Sequence, residues 1–239
     1  MPAKYVQGPA KGVDTTEATN FTATLTVQPK AGDFLIAAVS TYSPTGQVYV
    51  TSIVQPGVTW SLIKAYYNST VNEDIELWLG IVSSGAGTLA TVNMSAVASV
   101  AVCDINEYSG LVTTGQLDQQ AQNNGHSNAP DSGTTPQTTY SSELCIAALG
   151  MVGISYFPNF SNPTSPWKMY DGVGSAGYTH YMCLALLENI VNTLGKADVN
   201  VTSTVNYYWT GIVVTLKATA VAGKLEIITN PRNTIFINA

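Results

Sequence analysis

Charge is scarce in this sequence. Nine of 239 residues are Lys or Arg and fifteen are Asp or Glu, so 10% of the chain is charged, against about 25% in an average soluble domain. Arg232 is the one arginine, and the formal net charge is -6. Nucleic-acid binding needs clustered Lys and Arg to neutralise phosphates. No such cluster is present, which excludes that class. Long apolar runs are also missing. Nothing approaches the roughly 18 residues of a membrane helix, so no membrane span is expected. The opening MPAKYVQGPAKGVDTTEATN has no apolar h-region and reads as no signal peptide. With Met1 as the native start, it predicts a protein made and assembled inside a cell.

Reactive side chains are few. Three cysteines, Cys103, Cys145 and Cys183, cannot all pair. Each lies in an apolar run and is expected as a small buried hydrophobe, with a Cys145–Cys183 bridge left open. Two histidines, His126 and His180, have no carboxylate or cysteine at ligand spacing. No metal site is expected from them. No G-x-S-x-G elbow, P-loop or C-x-x-C occurs, and no cofactor is expected. Thr, Ser, Asn, Gln and Tyr take the place of the missing charge. Such a surface titrates little, which suits an extracellular or acidic setting.

What is present is β pattern. Apolar residues make up 45% of the chain, ample for a core. ATLTVQ, FLIAAVS, VYVTSIV, IELWLGIV, ATVNMSAV and VAVCDINEYS occupy the first half. QTTY, ELCIAALGMVGIS, WKMY, YMCLALLE, ADVNVTS and TGIVVTLKA occupy the second. All are rich in β-branched and aromatic residues and are bounded by Gly, Pro, Asn and Ser. No convincing amphipathic helix appears.

The halves also resemble each other. GDFLIAAVS (32–40) matches SELCIAALG (142–150). PGVTWSLIK (56–64) faces PTSPWK (163–168), with Trp60 opposite Trp167. Residues 74–95 and 99–110 face 180–202 and 209–218. Four collinear matches argue for an internal duplication. The expectation is an all-β, eight-stranded jelly-roll sandwich of two duplicated four-stranded halves, 20–110 and 134–218. Residues 1–19 form a flexible N-terminal arm in this reading. Residues 219–239 form a linker and β-hairpin. The paired alanines are expected to leave room for larger side chains across the interface between the halves.

The order Gly32, Asp33, Leu35, Ile36, Ala38, then Trp60, then Glu107, Tyr108, Ser109, Gly110 resembles a jelly-roll module of phage, viral and cell-surface proteins, over about residues 20–218. The Thr/Asn/Tyr-rich, Arg-poor style is similar to surface proteins of thermoacidophilic archaea and their turreted icosahedral viruses. The resemblance implies display, attachment or assembly and carries over no active site.

The sharpest enzymatic lead is NEDIELW (72–78). Laminarinase-type glycosidases place carboxylates at alternate strand positions. Here those positions hold Asn72, Asp74 and Glu76. The amide cannot form a glycosyl ester, so no enzyme is expected. Tyr66, Tyr67, Tyr207 and Tyr208 are candidates for a surface patch that binds a host glycan or a neighbouring subunit. Trp60, Trp167 and Trp209 are expected as core or rim packing. Sequons begin at Asn20, Asn68, Asn93, Asn159 and Asn200. In the C-terminal segment Ile227, Ile228, Ile235, Phe236 and Ile237 would invite edge pairing if exposed, so they are expected to serve assembly. The leading expectation is a non-enzymatic structural protein of a virus particle, a capsid or turret subunit at the virion surface. Its partners would be its own copies and other virion or surface proteins. The rivals are a secreted archaeal filament or adhesin subunit at the cell surface, and a carbohydrate-binding module.

Overall fold

The computed structural model describes residues 2–14, 16–153, 159–176, 180–219, 226–230 and 233–237. The chain is all-β, with antiparallel ladders and no helix among the described residues. A first five-stranded sheet has the order β1 (Lys4–Asp14), β8 (Val100–Ser109), β3 (Phe34–Tyr42), β6 (Glu73–Val82), β5 (Val58–Asn68). A second has the order β9 (Leu117–Ser127), β15 (Tyr207–Lys217), β10 (Glu143–Gly153), β13 (Tyr181–Val191), β12 (Lys168–Ala176). The two orders correspond. Each starts with the first strand of its half and sets the last strand beside it. The Ile-Ala-Ala strand follows, and then a hairpin.

Each large sheet carries a smaller one on its outer face. In the first half this is β2 (Asn20–Thr24), β7 (Leu89–Met94) and β4 (Val50–Val54), in the order β2-β7-β4. In the second half it is β11 (Phe160–Ser161) with β14 (Thr202–Ser203), extended by a bridge between Asp131 and Asn200. The outer run around Val199 and Val201 alternates, with both valines buried and Asn200 and Thr202 exposed.

The two large sheets face each other, so their strands are covered on both sides. On β3, Phe34, Ile36 and Ala38 enter the core between the halves, while Leu35, Ala37 and Val39 enter the first half's own core. On β10, Leu144, Ile146 and Ala148 face the first sheet, while Cys145, Ala147, Leu149 and Met151 face the second half's outer layer. Double-sided burial explains the unbroken apolar runs. The layering corrects the sequence reading. Four strands per half do not pair into one eight-stranded sandwich, because each half supplies a five-stranded sheet and an outer layer. The paired alanines split between two cores, one to each face, since successive strand residues point to opposite sides.

The N-terminal arm is a second correction. Residues 4–14 are the edge strand β1, paired with β8 along their length. Its Tyr5 reaches across the halves. The ring stacks on Tyr170 of β12 at 3.8 Å and meets Tyr108 edge-on at 5.9 Å. Alternating polar and small residues hid this strand, because an edge strand needs only one apolar side.

Two of the motif residues, Glu107 and Tyr108, are tied into the fold. Glu107 accepts a hydrogen bond from the Lys30 amide at 2.8 Å, pinning the turn before β3. Tyr108 is fully buried between the sheets. All three cysteines are buried and none is in a disulfide. Cys183 pairs with Met151, six residues along β10 from Cys145, a separation of about 20 Å, which precludes a bridge.

Trp167 and Trp209 are buried in the second half's core, and Trp60 packs against the first. The ladders set Ile36 opposite Leu79 and Ile146 opposite Glu188. Trp60 lies opposite Gly80 and Lys168 opposite Glu188. Continuing the second ladder by one residue brings Trp167 opposite Asn189, the counterpart of Gly80.

Residues 226–230 and 233–237 pair as strands β16 (Glu226–Asn230) and β17 (Asn233–Ile237), a two-stranded sheet of their own. Ile227 lies opposite Phe236 and Ile228 opposite Ile235. The side chains of these residues and of Ile237 lie outside the described part of the structure.

Tyr5 tests the strap formed by β1. Tyr5→Ala is expected to cost about 2 kcal/mol through lost ring contacts and a cavity. Urea denaturation measures it, and a change below about 0.5 kcal/mol, the range of ordinary surface substitutions, would show that β1 does not couple the halves.

Candidate functional site

A pocket of about 420 Å³ opens at one end of the seam between the halves. The first half contributes Tyr42, from the end of β3, and Val71, from the turn between β5 and β6. The second contributes His126, Val152, Gly153, His180, Asn206, Tyr207 and Tyr208. The arrangement follows from the ladders. β15 begins beside the end of β9, which sets Tyr208 opposite His126, and it runs antiparallel to β10, which sets Tyr208 opposite Val152.

Two aromatic–imidazole pairs mark the pocket. Tyr42 and His180 have ring centroids 4.3 Å apart and share a 2.9 Å hydrogen bond between the phenol oxygen and Nε2. Burial lowers the pKa of His180 and raises that of Tyr42, so both favour the neutral form. His126 and Tyr208 meet edge-to-face at 4.5 Å and 72°. Tyr207 lies against Gly153, where a Cβ would come within 1.9 Å of its ring. Glycine is required there for the ring to sit as it does. A smaller cavity of about 130 Å³ adjoins, sharing His126 and Tyr208 and adding Asn68, Thr70, Asn124 and Gly125.

No family model, curated protein or solved structure matches this chain.

The four candidate tyrosines separate. Tyr207 and Tyr208 line the pocket, and Tyr208 is 41% exposed. Tyr66 and Tyr67 are half-buried on β5 and do not line it. Tyr66 packs on the inter-sheet core, and Tyr67 donates to Asn72 at 2.6 Å. Of the two adjacent-tyrosine pairs, one lines the pocket. Both histidines were unassigned by sequence reasoning. Their 54-residue separation gives no local signal, and only the ladders bring them to the same end. Among the described residues no group of three His, Cys, Asp or Glu side chains could hold a metal. Of the sequons, Asn68 is buried, and its amide donates to Thr210 at 3.2 Å.

The carboxylates of NEDIELW do not reach a cleft. Asp74 and Glu76 are buried on the face of β6 that looks into the first half. Gln47 donates to Asp74, while the Val50 amide and the Trp78 indole donate to Glu76 at 2.8 and 2.6 Å. Burial raises the pKa of both acids. Glu73 points the other way, between the halves. It accepts from Ser40 of β3 at 2.9 Å and from Thr210 of β15 at 2.6 Å. Gly150 of β10 makes the room, since a Cβ there would lie 2.2 Å from the Glu73 carboxylate. Burial pushes Glu73 up to about 7 despite its two hydroxyl donors. Glu143, buried beside Asp118, is likewise pushed up to about 7 by burial.

A direction of pH dependence follows. Glu73 has a folded pKa of about 7 against a reference value of 4.5. Between these values the folded chain holds a proton that the unfolded chain releases. Its contribution is fully present below pH 4.5 and is lost as pH rises through 7. For Glu73 alone the loss is about 3 kcal/mol. Stability measured by chemical denaturation is expected to fall from pH 4.5 to 8. Glu73→Gln is expected to flatten part of that slope, leaving the share of Glu143 and the Asp74–Glu76 pair. A wild-type stability that rises over this range would contradict the protonated, buried Glu73.

Proposed function

We propose that this chain is a non-enzymatic structural subunit of a virus particle, a capsid or turret component at the virion surface. It acts by assembling with copies of itself and with other virion proteins. The observation that carries the reading is the C-terminal hairpin. Both large sheets have five-strand orders without it, and among the described residues β16 and β17 pair with each other and with no other strand. A lone two-stranded hairpin is marginal in water, and its five large apolar residues, each worth roughly 1.5–3 kcal/mol when buried, drive it toward a partner.

The fold supports the same reading at a finer level. We take the two halves as a duplicated jelly-roll unit. In a roll wound from two Greek keys the first strand lies beside the last, and the third lies between the last and the sixth. The order β1-β8-β3-β6 and its outer partner β2-β7-β4 fit that winding. The corresponding order of the second sheet supports duplication. The buried acids argue against catalysis by the NEDIELW strand, because a glycosidase needs both carboxyl groups at the scissile bond.

Two measurements test the proposal. The full chain is expected to form large assemblies in light scattering and electron microscopy, while a chain lacking 220–239 stays folded but small. A truncated chain that unfolds, beside a full-length chain that is a stable monomer, would place the hairpin in the domain core and end the assembly reading. β-Glucan is expected to survive incubation with the protein. Turnover that disappears in Glu76→Gln would reinstate the enzyme.

A further inference from the structure

We infer that the pocket at the seam is a binding site for a neutral sugar ring. Its volume of about 420 Å³ falls within the range of about 300–1,000 Å³ typical of small-molecule sites. No Lys, Arg, Asp or Glu is among its described lining residues, so an ionic ligand would gain no opposite charge there. The neutral form is favoured for His180 by its burial against Tyr42.

The lining combines two kinds of surface. Tyr208, Tyr42 and the imidazoles offer ring faces and edges, and Val71 and Val152 add apolar wall. The phenol oxygens, ring nitrogens and the Asn206 amide supply hydrogen-bonding groups. A purely apolar ligand would bury the Asn206 amide, the Tyr208 phenol and the His126 ring nitrogens against apolar surface, at a cost for each. A pyranose has an apolar C–H face for stacking and a rim of hydroxyls for the polar groups, so it satisfies both at once. The rings are also positioned in advance. Tyr208 stands on His126, and Tyr42 is fixed by His180, which reduces the ordering cost of binding. The site is composite, since Tyr42 and Val71 come from one half and the rest from the other. It exists only when the two halves are packed.

Saturation-transfer NMR on the full chain tests this with the methyl pyranosides of glucose, galactose and mannose as probes. N-acetylneuraminic acid serves as a charged control and p-cresol as a simple aromatic. At least one neutral pyranoside is expected to bind at millimolar concentration. Tyr208→Ala and His126→Ala are both at exposed positions and are expected to melt as wild type does while weakening binding about tenfold, the loss of one ring contact. Tyr66→Ala is expected to leave binding unchanged. The inference is overturned if no neutral pyranoside binds, if only the acid or p-cresol binds, or if folded Tyr208→Ala and His126→Ala proteins bind as well as wild type. These outcomes are independent of the assembly reading, because a truncation that abolishes particles leaves every residue of the pocket in place.

Discussion

Everything in this structure depends on the face-to-face burial of two five-stranded sheets that are each also covered from outside. A sheet with one wet face can alternate apolar and polar residues. These sheets cannot, because β3, β6, β8, β10, β13 and β15 pack on both sides. The composition follows. Apolar runs persist without alternation, and alanine and glycine appear where strands approach from two directions. Charge is driven out of most of the chain.

The same constraint raises the energetic stakes of the acids that remain. A carboxylate between two apolar layers must be paired, protonated or both. Glu73 resolves this with two hydroxyl donors, one from each half, in the gap left by Gly150. Ser40 and Gly150 occupy corresponding places on the two Ile-Ala-Ala strands, so one polar contact sits where the halves match most closely. At another place the halves differ. Leu79 lies opposite Ile36, whereas Glu188 lies opposite Ile146. That glutamate accepts from Tyr170 at 2.7 Å, beside the stacked Tyr5. The edge closed by β1 is thus joined by tyrosines and an acid, where the corresponding position in the first sheet holds a leucine.

Much of this was legible in the sequence, and the failures have physical causes. The six strands covered on both sides, and the correspondence of 32–40 with 142–150, could be read because buried strands are apolar in a continuous, recognisable way; β9, with few apolar residues, could not, and QTTY is no strand. The number of layers could not. A run such as FLIAAV reports burial on both faces but not what covers each face, and a second large sheet covers as well as a small one. β1 was misread as an arm because KYVQGPAKGVD buries mainly small residues, Ala10 and Gly12 among them. The pocket was half-visible. Tyr207 and Tyr208 stood out as neighbours, but Tyr42, His126 and His180 belong to three different strands or strand ends and meet only through long-range ladders.

Packing two similar units face to face also explains where a site can form. In the middle of the seam nearly every side chain is committed to the inter-sheet core, and a change there disturbs both halves. At the ends the strands outrun the core, and their last residues meet loops that differ between the halves. Tyr42 closes β3, Val152 and Gly153 close β10, and Tyr207 opens β15. These positions inherit their geometry from rigid ladders, and Tyr42 and Val152 also pack in the inter-sheet core while Tyr207 packs on the second half's core. The exposed pocket residues His126 and Tyr208 can diverge at low cost to stability, as residues placed at the margins of a rigid scaffold generally can. A pocket made of aromatic rings and imidazoles, without charge, is what this chain's composition can build there.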